Sequence, residues 1–423
     1  MQIKAPRGTY DILPDQAAKW QWMEELLKLT ASDFGYREIR TPIFEHTELF
    51  ERGVGATSDI VSKEMYTFRD KADRSITLRP EGTASCARAF IEHGFYNGLL
   101  PVKWYYSGPM FRYDRPQTGR FRQFHQFGVE AFGSDSPFLD AEVIILMMEI
   151  FQRLGLQELQ LHTNSVGCPV CRPQYREKLI SYLTPIKDEL CQDCQQRYLV
   201  NPLRVLDCKN RSCQEAIKGY PLLADSLCSD CTGHYQQVRA GLAANGIEFI
   251  HDDKLVRGLD YYTNTAFEVH VPSLGAQSAI GGGGRYNGLV KVCGGPDVPG
   301  TGFALGLERM LLAVDQQQNQ MPVDVFVIVM ENRFMAQALQ LTTEIRRAGI
   351  SADMDYNNRS PRAQMKYADK IKARLAIMIG EEEINQGYYS VRDMHSSEQY
   401  QADRDSLIAN LPGILFKKEE EQG

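Results

Sequence analysis

Four arginines, Arg112, Arg115, Arg120 and Arg122, fall within eleven residues that hold one acid, Asp114, and aromatic residues stand on both sides of the run. Guanidinium forks grip phosphates bidentately, so on paired strands such a run can grasp a nucleotide while members in the connecting loop reach a polyanion. The same composition also serves as a charged hairpin edge that opposes aggregation. Gln126 and Glu130 follow four residues apart, which places them on one face of a strand. A carboxylate there, and a second at Glu81 in RPEGT ahead of a helix, can accept hydrogen bonds from a cationic or donor group; either alone is equally an ordinary surface carboxylate. In LVRGLDYYTNTAFEV, Arg257 precedes Asp260, Tyr261 and Tyr262, a polar and aromatic cluster that is costly to bury without partners and suits a binding wall. GGGGR, Gly281 to Arg285, reads as a glycine-rich turn that lets backbone approach a ligand. It lacks the GK[ST] ending of a P-loop, and no GxGxxG runs from a strand into a helix, so the Walker and Rossmann nucleotide sites are excluded.

Ten cysteines form the second chemical signal. Cys168, Cys171, Cys191, Cys194, Cys208, Cys213, Cys228 and Cys231 lie in one segment, and Cys86 and Cys293 fall outside it. Close pairs of this kind supply enough thiolates for two tetrahedral zinc sites of four ligands each, with reduced thiols as the alternative. The spacing does not say which pairs share an ion.

These residues must be held by more than one domain, because 423 residues correspond to about three domains at roughly 150 residues each. Hydrophobic residues at 43% and charged residues at 24% match a globular protein and exclude disordered and collagen-like chains. No apolar stretch approaches the roughly 20 residues a membrane span needs, and MQIKAPRGTYDILPD has no apolar core of a secretory signal. The reading is a soluble, cytoplasmic protein without a membrane partner. A net charge of −7 gives no general attraction for polyanions, so contact with nucleic acid requires local basic patches.

Apolar spacing predicts helices over Asp15–Gly35, Thr83–His93, Leu139–Leu154 and Gly302–Val314. REIRTPIFE reads as a strand interrupted by Pro42, TFRD and SITLRPEG as further strands, and VKWYYSGPMFRYD with RFRQFHQFGVEAFG as a long-looped antiparallel hairpin. Beyond a polar linker, Asp315 to Pro322, strands and helices alternate as in an α/β domain with a mostly parallel sheet. There, Arg362, Lys366, Lys370 and Arg374 recur every four positions, a basic helical face suited to RNA phosphates or simply to solvent.

Together these segments resemble the motifs of class II aminoacyl-tRNA synthetases, and specifically the histidyl-tRNA synthetase family. GYREIRTPIFE is similar to motif 1, FRYDRPQTGRFRQFHQFGVEAFG to motif 2 and GTGFALGLERM to motif 3, while LVRGLDYYTNTAFE and GGGGRYNGL resemble the two histidine-specific peptides. PRGTYDILP and TLRPEGT fit the same family. The resemblance implies an α+β catalytic domain, with a six-stranded antiparallel sheet flanked by helices, over 1–166 and 236–320. It further implies a cysteine-rich, mainly helical insertion over 167–235 and a C-terminal α/β anticodon-binding domain over 323–423.

By that resemblance the activity is histidine–tRNA ligation: L-histidine and ATP form histidyl-adenylate, and the histidine passes to the 3′ end of tRNA(His). Glu81, Thr83 and Gln126 correspond to the pocket for the α-amino end, Glu130 and Tyr262 to the positions facing the imidazole, and Gly82 and Tyr261 to the histidine pocket as a whole. Arg112 and Arg309 correspond to the ATP-binding arginines, and Arg257 joins Arg112 at the reacting centre. Arg115, Gln117 and Arg120 are candidates for the tRNA acceptor stem, and Arg362, Lys366 and Lys370 for the anticodon arm. Magnesium with ATP and a homodimer complete what the resemblance implies; a structural Zn2+ rests on the cysteine spacing alone, because the family is not defined by a metal in this segment, and reduced thiols stand as the alternative. Two rivals are a catalytically silent relative, the regulatory subunit of ATP phosphoribosyltransferase, and a zinc-dependent RNA-binding protein.

Overall fold

The computed structural model describes residues 3–55, 58–208, 210–256, 259, 261–314 and 323–416. The Asp315–Pro322 linker, Arg257 and Asp260 lie outside them. The chain divides into two compact units, Met1–Gln318 and Asn319–Gly423.

Sixteen strands are described in chain order. The first unit holds β1 (Arg37–Glu38), β2 (Phe44–His46), β3 (Tyr66–Arg69), β4 (Ser75–Leu78), β5 (Val102–Phe111), β6 (Gln123–Phe132), β7 (Gln160–Ser165), β8 (Ile250–His251), β9 (Thr263–His270), β10 (Ala279–Arg285) and β11 (Gly300–Gly306). The second holds β12 (Val325–Val329), β13 (Ala352–Met354), β14 (Leu375–Ile379), β15 (Tyr388–Asp393) and β16 (Gln399–Asp403).

The main sheet runs β1-β5-β6-β11-β10-β9-β7-β8. Its six inner strands pair antiparallel, and the two short edge strands pair parallel with their neighbours. Side chains alternate across it, so Phe127, Val129, Phe303, Leu305, Phe267 and Val269 all enter one core. That core packs against the helices Pro14–Asp33 and Pro137–Arg153, which bring Trp20, Met23, Leu27, Ile144, Met147 and Ile150. The opposite face is left to the intervening residues, Gln126, Gly128 and Glu130 on β6 and Gly302, Ala304 and Gly306 on β11.

Several local expectations change. Pro42 splits the motif-1 segment between sheets: β1 pairs with β5, whereas β2 joins β4 and β3 in a separate three-stranded sheet. Proline has no N–H for a ladder, so the break falls where a donor is missing. The expected helix over Gly302–Val314 is a strand followed by a helix, because Gly300–Gly306 pairs on both edges and only Leu307–Ala313 is helical. On its cavity face β11 carries only Gly302, Ala304 and Gly306, small residues rather than polar ones, so the segment lacks the apolar–polar alternation that marks a half-buried strand. GGGGR is a central strand rather than a turn, since β10 is laddered to both β9 and β11.

Between β7 and β8 the chain forms the helices Arg172–Leu183, Gln192–Arg197, Leu203–Leu206, Arg211–Ala216 and Ser229–Ala244. Tyr175, Leu179, Leu183 and Val205 of this segment share a core with Phe90, Trp104 and Tyr286 of the sheet side.

In the second unit the order is β13-β12-β14-β15-β16. Two strand pairs are parallel and two antiparallel, so the sheet is mixed rather than mostly parallel. Val325, Val327 and Val329 pack with Leu341 and Leu411 on one face, and Phe326 and Ile328 with Ala368 on the other, giving helices on both sides.

Candidate active site

A cavity of about 390 Å³ opens on the exposed-face side of the main sheet. Its wall includes Glu81, Thr83, Arg112, Gln126, Tyr261 and Tyr262, six of the residues singled out from sequence. Arg120 and Arg309 also line it.

Glu130 lies behind the wall: it does not itself line the cavity, but it is bonded to Thr83 and Tyr286, which do. It is 1% exposed, directly opposite Gly302 across the β6–β11 ladder. A Cβ at Gly302 would overlap the Glu130 carboxylate, so glycine leaves the space the carboxylate fills. Thr83 Oγ1 donates to Glu130 Oε1 at 2.6 Å, and the Tyr286 hydroxyl donates to Oε2. Burial raises the Glu130 pKa to about 8; the bonds from Thr83 and Tyr286 oppose that rise and the nearby charge of Glu81 adds to it. The shift favours the protonated form at neutral pH.

The sign of this shift sets a prediction. Folded protein retains a proton that unfolded chain releases above the ordinary value of 4.5, so folding stability declines as pH rises from there to about 8. Glu130→Gln removes that titration and should flatten the dependence of melting temperature on pH across this window. Parallel wild-type and variant curves would contradict it.

Glu81 is positioned differently. Its carboxylate accepts from the backbone N–H of Thr83 at 2.7 Å and of Ala84 at 2.8 Å, so it caps the helix Thr83–Glu92 as well as facing the cavity. Gly82 sits against Tyr106, whose ring a Cβ there would penetrate. The side-chain oxygen of Gln126 is buried and has no partner among the described residues, an acceptor ready for an incoming donor.

The cationic rim comes from the hairpin and the helix after β11. Arg112 Nε donates to Pro80 O at 2.9 Å, and its guanidinium lies 5.2 Å from the Phe124 ring centre. Arg309 Nη1 donates to Ala279 O at 2.8 Å and its Nε to Gly119 O at 3.4 Å, which ties the helix to the hairpin loop. Burial lowers the Arg309 pKa, and the charges of Arg120 and Arg112 push the same way. Arginine stays protonated regardless, so this is a concentrated positive charge poised for an anion.

The remaining candidates divide. Arg115 and Gln117 are exposed in the hairpin loop, and Arg120 pairs with Asp114 at 3.1 Å. Arg362, Lys366 and Lys370 are exposed along the helix Pro361–Lys370. Arg374 leaves that face: the helix ends before it, and it pairs with Asp324 at 3.3 Å. Arg257 lies outside the described residues.

Sequence reasoning passed over Tyr286, Glu308 and Arg204. Glu308 receives the His125 backbone N–H at 2.9 Å, meets His125 Nδ1 at 3.0 Å and accepts from the Tyr10 hydroxyl at 3.4 Å. Tyr286 follows GGGGR directly and Glu308 precedes Arg309, so adjacency to flagged residues was the available signal.

The cysteines gather into two groups, Cys168, Cys171, Cys228 and Cys231, and Cys191, Cys194, Cys208 and Cys213, with all sulfurs of a group within 4.8 Å of one another. This resolves the pairing that spacing left open.

A family model described as "Histidyl-tRNA synthetase" matches residues 8–168 and 203–310, and an "Anticodon binding domain" model matches 324–413. The chain belongs to the histidyl-tRNA synthetase family. A histidine–tRNA ligase from Syntrophomonas wolfei is 62% identical over 422 residues, covering 99% of this chain and 100% of that protein. The solved apo histidyl-tRNA synthetase of S. aureus shares 41% identity at a TM-score of 0.82, covering 97% of this chain and 100% of the other. A Bacillus halodurans protein described as an ATP phosphoribosyltransferase regulatory subunit/histidyl-tRNA synthetase shares the fold, at 22% identity and a TM-score of 0.60 over 87% of this chain and 97% of that one. The class II antiparallel sheet, the cysteine-rich segment and the C-terminal α/β domain anticipated for such a family member are all present.

Proposed function

We propose that this enzyme is a histidine–tRNA ligase, which activates L-histidine with ATP and transfers it to tRNA(His), releasing AMP and pyrophosphate. The observation that carries the reading is a cavity rimmed by Arg112, Arg120 and Arg309, whose wall residues Thr83 and Tyr286 bond to the buried carboxyl of Glu130 behind them. Glu130 and Tyr262 are read as partners of the imidazole, with Tyr261 beside them. Such partners discriminate strongly, because an analogue that lacks the ring donors leaves buried polar groups unpaired. Gln126, Glu81 and Thr83 are read as holding the α-amino end; the unpartnered oxygen of Gln126 supports this.

The histidine carboxylate is already a nucleophile, so attack on the α-phosphorus of ATP needs charge neutralisation and alignment more than a base. Arg112, Arg309 and Arg257 are assigned that work. The new bond joins carboxylate oxygen to phosphorus, and the bond to the pyrophosphate oxygen breaks. A terminal ribose hydroxyl of tRNA then attacks the activated carbonyl and AMP leaves. Mg2+ accompanies ATP in this reading, where it neutralises phosphate charge; Glu64 and Glu268 on the cavity wall carry the oxygen donors such an ion takes. A structural Zn2+ in the cysteine-rich insertion completes the reading.

The cytoplasm is the proposed compartment, and no described helix is long and apolar enough to cross a membrane. The proposed domains are those of the catalytic parts 1–166 and 236–320, the insertion 167–235 and the anticodon module 323–423. A homodimer is supported by Ile43, Phe44 and Phe68, which expose apolar side chains on the motif-1 side. ATP–pyrophosphate exchange tests the assignment: it should depend on histidine, and exchange with another amino acid or none would refute it.

The basic helix gives a separate prediction. R362E/K366E/K370E should raise KM for tRNA by about tenfold or more, with a shallower salt dependence, and leave exchange within about twofold. An equal loss in both reactions would remove the helix from RNA binding.

A further inference from the structure

Tetrahedral zinc with sulfur at about 2.3 Å requires ligand sulfurs about 3.8 Å apart. In the first group Cys168 and Cys171 are 3.7 Å apart, Cys168 and Cys228 3.8 Å, and Cys171 and Cys231 3.7 Å. In the second, Cys191 and Cys208 are 3.8 Å apart. These separations are far beyond a disulfide bond at about 2.05 Å and equal the edge of a tetrathiolate tetrahedron. Backbone N–H groups also point at the sulfurs, from Cys168 to Cys171 at 3.2 Å, from Cys191 to Cys213 at 3.0 Å and from Asn210 to Cys208 at 3.4 Å. Such donors stabilise negative charge on sulfur.

The two groups occupy different places. The first joins the start of the insertion, just after β7, to the N-terminal turn of the helix Ser229–Ala244, so an ion there closes the insertion at its base. The second ties together the helices Gln192–Arg197 and Arg211–Ala216, between which Leu203–Leu206 is held. These helices are too short to be stable alone. Arg204 of the middle one lines the catalytic cavity, and Arg197 bonds Asp59 of the cavity wall at 2.9 and 3.1 Å.

We propose that the insertion binds two structural zinc ions, one at Cys168, Cys171, Cys228 and Cys231 and one at Cys191, Cys194, Cys208 and Cys213, and that the second fixes Arg204 on the wall of the catalytic cavity. This deepens the zinc component of the ligase reading, and metal content does not depend on catalysis. Arg204 is a positioning residue for an anionic substrate, presented by a metal-organised module rather than by the sheet.

Elemental analysis of full-length protein purified without chelator should give two zinc ions per chain, and one in each of C168S/C228S and C191S/C208S. Zero or one in wild type overturns the proposal, as does loss of both ions from either variant while it remains folded. Should a variant fail to fold, cobalt titration of the wild type under reducing conditions reads the same sites: two equivalents with tetrathiolate ligand-field bands support them, and a single equivalent or six-coordinate bands refute them. For the coupling, R204A should keep two zinc ions and raise KM for ATP by about tenfold. Added to C191S/C208S it should cause little further change, and full additivity would overturn the link between the second ion and Arg204.

Discussion

Arg112→Ala is expected to lower histidine-dependent ATP–pyrophosphate exchange by about 10²–10³-fold, the scale seen when one preorganised donor to a charged transition state is removed. The carboxylate of histidine must approach a polyphosphate, and Arg112 stands on the cavity wall with its Nε held by Pro80 and its face near Phe124. Those contacts fix the fork before substrate arrives, so little reorganisation accompanies the reaction. Histidine binding, followed by equilibrium dialysis without ATP, should change by no more than about twofold, because an interaction made in the transition state affects turnover rather than ground-state affinity. Arg112→Lys keeps the charge but loses the fork, and should recover only part of the rate. Comparable losses of binding and turnover would assign Arg112 a general structural role, and a loss below threefold would take it out of the chemistry.

The second large effect lies away from the cavity. Asp140→Ala should destabilise the protein by about 3–5 kcal/mol, measured by urea unfolding, because it strands a buried guanidinium. Arg285 and Asp140 are both fully buried, bonded at 2.6 Å through Arg285 Nη2 and 3.1 Å through Nε. Thr265 donates to the same carboxylate at 2.6 Å, and His234 Nε2 meets it at 2.7 Å. Burial pushes the Asp140 pKa up, but the bond from His234 and the charge of Arg285 outweigh it and leave the value below the ordinary one. This contribution is therefore present above the ordinary carboxylate range and is lost as pH falls through the depressed folded value. Replacing both members with apolar residues, D140L/R285M, should recover much of the loss, since no charge is then left unpaired. A cost below about 1 kcal/mol for Asp140→Ala would show that water reaches the pair.

That network shows where sequence reading runs out. Asp140 comes from the long helix after the hairpin, Arg285 from the end of the glycine strand, Thr265 from β9 and His234 from the helix that leaves the cysteine segment. Nothing in their spacing connects them, and Arg285 in GGGGR looked like part of a ligand-approaching turn. Gly302–Gly306 is a strand that spacing presents as helix, since its cavity face is made of glycine and alanine and shows no polar alternation. By contrast, the hairpin was legible because a long antiparallel pair repeats its pattern over many residues, and Gln126 and Glu130 fell on one face as a period of two demands.

Residue types and local spacing thus marked the cationic hairpin, the carboxylate at Glu130 and the eight clustered thiols, and the resemblance of short motifs pointed to the family, because all of these are carried within short segments. The folded chain alone decided that Glu130 meets Tyr286, that Gly302 makes room for it, how the cysteines divide into fours, and that Arg204 reaches the cavity. Each of those contacts joins segments tens of residues apart, and its existence depends on strand register and helix packing, which are settled by the burial of the whole core rather than by any one segment.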